Sequence, residues 1–130
     1  MKTYWDSSSL IQALHDERLR ARLKPGTHAT RLHSFTEVFS TLTKGVNFRY
    51  TPRDAANMVA DLARDLDIVE LTANETLSAI KEAESLGVRG GRIHDLMHAT
   101  AARNYKAEVL MTVDTSGFTG ISKGLRILSS

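Results

Sequence analysis

Apolar and polar positions fall into alternating blocks along the chain, short apolar runs followed by stretches with helical spacing. Residues 2 to 6 read as a short strand, after which Ser7 or Ser8 is expected to cap a helix. That helix places Leu10, Ile11 and Leu14 on one face and should stop before Lys24-Pro25-Gly26. Residues 29 to 35 predict a second strand, and Thr36 to Lys44 a helix ending at Gly45. Thr51-Pro52-Arg53-Asp54 is a helix start, with Thr51 as cap and Pro52 at the first helical position. Its inward face is predicted to be Ala55, Val59, Leu62 and Leu66.

Residues 67 to 71 predict a third strand. Thr72 through Glu75 has the spacing of a capping box for the next helix, with Leu77 and Ile80 expected inward and Gly87 as terminator. Gly90-Gly91 leads into a helix from Arg92 or Ile93 to about Tyr105, whose Ala99, Ala101 and Ala102 permit close packing on a sheet. Residues 108 to 114 are apolar almost throughout, as a strand covered on both faces should be, and residues 125 to 129 predict a fifth, edge strand. No repeat, linker or low-complexity stretch interrupts the pattern, so residues 1–130 are read as one α/β domain.

The bulk numbers narrow the chemistry. The chain has 130 residues, 42% hydrophobic and 25% charged, which suits one globular domain with a real core. It contains no cysteine, which excludes disulfides, thiolate nucleophiles and cysteine-bound zinc. No apolar run approaches the ~20 residues that cross a bilayer, and Asp6 with three serines near the start is unlike a signal peptide. The expected location is the cytoplasm, with no membrane partner. A net charge of +2 gives no bulk attraction to polyanions. Arg18, Arg20, Arg22 and Lys24 read as a solvated helix face, whereas Arg89 and Arg92 lie beside a candidate site, where a phosphate role and a solvated one both stay open.

Four of the fifteen acids stand apart. Asp6 and Asp114 each follow apolar residues at the carboxyl end of a predicted strand; Glu37 follows the second strand, and Asp95 opens a helix. A lone acid at such a place is often a helix cap. Ligands of open parallel sheets bind outside the carboxyl ends of the strands, so four acids placed there together point to a metal. Two carboxylates ~4 Å apart repel by about 4 kcal/mol at an effective dielectric near 20, a cost that a cation offsets. Without a cation, crowding should raise the pKa of at least one of them. Magnesium suits an all-oxygen site that keeps several waters, and manganese fits the same donors.

Neighbouring groups leave alternatives. Ser8 and Thr112 can support a carboxylate or a metal-bound water, or else cap a helix and pack in the sheet. His98 shares the helical face of Asp95 and is expected to be a packed or solvent-facing histidine rather than a ligand, while His94 points elsewhere. There is no Gly-rich phosphate loop, G-x-S-x-G elbow or H-E-x-x-H motif.

Taken in order, Asp6 with Ser8, Glu37 in Thr36-Glu37-Val38-Phe39, Gly91-Arg92-Ile93-His94-Asp95 through Ala99 to Ala102, and Leu110-Met111-Thr112-Val113-Asp114 with Phe118 resemble the PIN-domain ribonucleases. The short chain is similar to the VapC-type toxins of toxin–antitoxin pairs. This resemblance implies an open parallel five-stranded sheet in the order 3-2-1-4-5 with helices on both faces. It further implies a metal-dependent endonuclease acting on RNA, with Asp6, Glu37, Asp95 and Asp114 as acidic centre and metal ligands, and Ser8, Thr112 and Arg92 in support. A homodimer and an antitoxin that blocks the site belong to the same expectation. Asp6-Ser7-Ser8-Ser9 departs from the Asp-Thr-Asn or Asp-Thr-Ser of many members. Two other readings compete: a catalytically idle RNA-binding or interaction module, and a phosphoacceptor signalling domain. The latter wants paired acids at the first strand and a lysine ending the last, and the chain has neither.

Overall fold

The computed structural model describes all 130 residues, Met1–Ser130. Five strands, β1 (Thr3–Trp5), β2 (His28–Arg31), β3 (Asp67–Val69), β4 (Val109–Thr112) and β5 (Arg126–Ser129), form one parallel sheet in the order β3-β2-β1-β4-β5. Six helices surround it: α1 (Ser7–Leu14), α2 (Glu17–Arg20), α3 (His33–Thr43), α4 (Pro52–Arg64), α5 (Ala73–Leu86) and α6 (Arg92–Asn104). A 3₁₀ turn covers Thr115–Phe118.

The central strand is β1, and its alternation divides the core. Trp5 packs on one face with Leu10 of α1, Leu42 of α3, Leu62 of α4 and Met111 of β4. Tyr4 packs on the other with Leu96, Ala99 and Ala102 of α6, Leu110 of β4 and Phe118. Both are wholly buried, as a parallel strand covered on both faces requires. Neighbouring parallel strands carry their chain ends to the same edge, so the loops after β1, β2 and β4 meet there.

Local signals place most element ends. Thr51 accepts the Asp54 N–H ahead of Pro52, and Thr72 and Glu75 form a complete capping box. Gly87 closes α5 at φ 69°, a left-handed conformation that favours glycine.

Four local expectations are corrected. Asp6, rather than Ser7 or Ser8, caps α1, its carboxylate accepting the Ser9 N–H. The expected long first helix breaks at His15, and Asp16 caps the short α2 through the N–H groups of Arg18 and Leu19. Strand β2 stops at Arg31 instead of residue 35, because Ser34, Val38 and Leu42 are buried together at helical spacing and α3 therefore begins at His33. In α5 the expected inward Leu77 and Ile80 are 63% and 49% exposed. Ala79, Ala83 and Leu86 take the inner positions, since small side chains let α5 approach the sheet and α6. Each residue turns a helix by ~100°, so this shift of face moves both large side chains outward.

Leu62→Ala should lower the free energy of unfolding by about 2–5 kcal/mol, as truncation of a fully buried leucine does. Exposed Val46→Ala should change it by less than ~0.5 kcal/mol. Denaturant titration checks both, and equal midpoints for the two variants would overturn the assigned inner face of α4.

Candidate active site

Strand ends and helix starts bring the four acids to one cleft of about 310 Å³, lined by Asp6, Glu37, Asp95 and Asp114 together with Ser7, Ser8, His94, His98, Thr112 and Gly117. Asp6 directly follows β1. Its backbone N–H reaches Met111 O at 3.1 Å, and its Oδ1 accepts the Ser9 N–H at 2.9 Å and the Ser8 hydroxyl at 2.8 Å. Ser8 Oγ also accepts the Val113 N–H at 3.1 Å and lies 3.4 Å from Thr112 Oγ1. Ser8 thus joins the first acid to the end of β4, and buried Thr112 stands behind it.

Glu37 lies in the second turn of α3, not at the helix start. Its Oε2 accepts the Ser7 hydroxyl at 3.2 Å. Its Oε1 stands 3.4 Å from His98 Nε2, long for a hydrogen bond, and this buried oxygen has no other partner. Burial would push the Glu37 carboxyl up, but the His98 and Ser7 contacts outweigh it and hold the pKa below the ordinary value.

Asp95, in the first turn of α6, is half-buried and accepts no hydrogen bond from a protein side chain or backbone group. Burial pushes its pKa up; the Asp6 charge adds to the rise, while His98, Arg92 and His94 oppose it. The expected rise of one carboxylate therefore appears at Asp95, with burial a larger cause than crowding. Asp114 is exposed and caps the 3₁₀ turn, its Oδ1 accepting from Ser116 N at 3.0 Å and Ser116 Oγ at 2.7 Å. Those bonds hold its pKa below the ordinary value.

The supporting residues divide. Arg92 does not line the cleft: its guanidinium donates to the carbonyls of Thr119 and Gly117, bracing the loop after β4. His98, expected to be packed or solvent-facing, lies 2% exposed between Tyr4 and Glu37 and also lines the cleft. His94, expected to point elsewhere, lies on the cleft wall; its place directly before Asp95 at a helix start was the available signal. Gly117 carried no signal in the sequence. A Cβ built there would stand 2.8 Å from Asp95 Oδ2, so the missing side chain makes the space that the carboxylate occupies.

A family model described as the PIN domain matches residues 3–123. The chain belongs to the PIN-domain family. Its fold is similar to that of VapBC2 from Rickettsia felis bound to a promoter DNA fragment, with TM-score 0.72, 17% identity, and 100% of this chain and 99% of that one covered. VapBC-1 from nontypeable Haemophilus influenzae gives TM-score 0.69 and 17% identity over 99% and 98% of the two chains. The sarcin–ricin loop cleaving toxin VapC20 from Mycobacterium tuberculosis gives 0.70 and 18% over 91% and 94%. At these identities the likeness is one of fold. No curated protein sequence matches the chain.

PIN domains generally use divalent metal ions. The donors here fit a hard cation: they are carboxylate oxygens, Asp95 has no hydrogen-bonding partner, and Glu37 Oε1 is a buried oxygen lacking an aligned donor. No three acids or histidines converge closely enough to cage an ion by themselves.

The raised Asp95 pKa gives a pH signature. The folded chain holds this proton more tightly than the unfolded one, whose carboxyl titrates near 3.8. Stability from Asp95 is therefore fully present below that value and is lost as pH rises through the folded pKa. In chelator, Asp95→Asn should raise the Tm near neutral pH relative to wild type, and the gain should vanish in acid. A gain that is the same at both pH values would remove the burial of Asp95 from this account.

Proposed function

We propose that this PIN domain is a metal-dependent endoribonuclease, which hydrolyses RNA phosphodiester bonds as the toxin of a toxin–antitoxin pair. One observation carries the reading: four carboxylates from the end of β1, α3, α6 and the end of β4 line a single cleft whose lining holds no lysine or arginine. Asp6, Asp95, Asp114 and Glu37 would hold Mg²⁺, or Mn²⁺ in its place. Such an ion activates a water and stabilises the charge that builds on a phosphodiester.

The chain's own residues prepare that site. Ser8 and the start of α1 fix Asp6 Oδ1, which leaves Oδ2 toward other ligands. Ser7 and His98 hold Glu37 ionised, and the bare backbone at Gly117 leaves room for Asp95. Arg92 steadies the loop that bears Gly117. Thr112 backs Ser8 from β4.

The partner reading is supported by the fold relatives: a toxin–antitoxin complex from Klebsiella pneumoniae is similar over 98% of this chain at 17% identity and TM-score 0.68. An antitoxin would block the cleft most directly with a basic side chain, which supplies the charge of the cation. A homodimer would cover the exposed Leu77 and Ile80 of α5. No helix is long and apolar enough to cross a membrane, in keeping with action on RNA in the cytoplasm.

A second reading, a catalytically idle RNA-binding or interaction module, draws on the lack of a converged three-ligand group. Total RNA incubated with the purified chain separates the two. Cleavage should require Mg²⁺, and Asp6→Asn or Asp95→Asn should lose about a hundredfold or more while remaining folded, as when a group that stabilises transition-state charge is removed. Glu37→Gln should follow. Full activity in the Asp6→Asn, Asp95→Asn double variant would rule out the nuclease at this cleft. Light scattering tests the dimer: a monodisperse monomer at high concentration would remove it from the proposal.

A further inference from the structure

Arg31 ends β2, the strand beside β1, and its side chain is unspoken for. The guanidinium makes no ion pair and no hydrogen bond: Nη1 is buried without a partner, and the other two nitrogens keep some contact with solvent. A cation that is partly desolvated and unpaired attracts an anion more strongly than one standing free in water.

Arg31 lines a cavity of about 450 Å³ between the ends of β2 and β3 and the first turns of α3 and α5. Leu32, Phe35, Val69 and Leu71 give this cavity an apolar wall. His33 and Thr36 lead from it into a second hollow of about 410 Å³, which has no apolar lining residue and reaches Glu37. Glu37 in turn lines the acidic cleft. The three spaces follow one another along α3 with shared residues at each junction, and Arg31 is the only lysine or arginine on any of their walls. The one acid beside it, Glu70, is exposed and forms no ion pair.

We propose that Arg31 binds a phosphate of the RNA strand that flanks the one cut in the acidic cleft, with the neighbouring base against the apolar wall. This rests on the reading of the chain as a ribonuclease.

Charge gives the first reason. Four carboxylates repel a phosphodiester, so the affinity that holds the strand has to come from nucleotides beside the cut. A net charge of +2 provides no broad basic surface for that purpose, which puts the weight on single well-placed cations. The planar fork of arginine suits a phosphate, and the start of α3 adds to it. Leu32, at the N-cap, supplies no side-chain hydrogen bond, so the first turn keeps N–H groups that favour negative charge.

Distance and shape give the second. Glu37 and His33 are four residues apart, about 6 Å along a helix that rises ~1.5 Å per residue, and Arg31 lies beyond His33. That separation belongs to a neighbouring nucleotide and not to the reacting phosphate. A free phosphate would leave the apolar wall uncovered, whereas a base stacks or packs against such a surface.

The test measures binding of a labelled single-stranded RNA over a range of salt concentrations. The parent protein is the full chain carrying Asp6→Asn and Asp95→Asn, which removes two of the repelling charges and should hold RNA without cutting it. Adding Arg31→Gln should weaken binding about tenfold, as loss of a charged hydrogen bond does. It should also lower the slope of log Kd against log salt by about 0.7, the share of one phosphate contact on a single strand. Arg31→Lys keeps the charge and should keep the slope. Arg31→Gln should unfold no earlier than its parent, since it removes a buried nitrogen that has no partner.

Equal slopes for the parent and Arg31→Gln overturn the proposal, and so does a slope that Arg31→Lys loses equally. Weaker binding that accompanies a change of oligomeric state in light scattering would make Arg31 an interface residue instead. Inorganic phosphate that displaces RNA from the parent more than chloride of equal ionic strength, and does not do so from Arg31→Gln, would assign the site to free phosphate. If the parent binds no RNA, the subsite falls. Cleavage of total RNA by the wild type with Mg²⁺ then shows whether the ribonuclease reading falls with it.

Discussion

The carboxylate of Asp6 is held by two demands that the rest of the site follows. Its Oδ1 must satisfy the open N-terminus of α1 and the Ser8 hydroxyl, while its backbone continues the pairing of β1 with β4. A helix start leaves several N–H groups without intrahelical partners, and an acid cap satisfies one and favours the positive end of the helix dipole. Asp6 is only 5% exposed, in a place where an acid without donors would be costly. The same side chain is at once a fold element and a member of the cleft, so the sheet edge, α1 and the acidic site share one anchor.

Around that anchor the protein pushes neighbouring acids in opposite directions. Glu37 sits between Ser7 and His98 and stays charged more readily than a free glutamate. Asp95 is buried without a donor and holds its proton longer. Groups of one chemical type whose environments separate their pKa values are a common feature of sites that handle protons or cations. The difference here comes from partners: α1 gives Glu37 the Ser7 hydroxyl and α6 sets His98 beside it, whereas the loop facing Asp95 supplies only the bare backbone of Gly117.

The order of elements and the positions of the acids were legible in the sequence because their signals are local. Thr51-Pro52, the Thr72–Glu75 box and Gly87 each act within one helical turn, and the acids stand where apolar runs end. Features set by distant packing were not legible. The rotation of α5 that exposes Leu77 depends on how closely Ala79 and Ala83 meet the rest of the core, which their own segment does not encode. The strand preference of residues 32 to 35 yields to the burial of Ser34, whose hydroxyl accepts from Thr30. Tyr4 and His98 are 94 residues apart, and only the completed sheet makes them neighbours.

Gly117 shows how a cleft can be made by an omission. Thr115 and Thr119 are exposed and can change with little consequence for the interior, and Phe118 answers only to the core. Gly117 answers to a side chain on another helix, since anything larger than hydrogen would press on the Asp95 carboxylate. The backbone there imposes no such demand, because Gly117 is not in the left-handed region. Drift in this loop is therefore confined to paths around one fixed point, and the residue that confines it lies twenty-odd positions earlier, in α6.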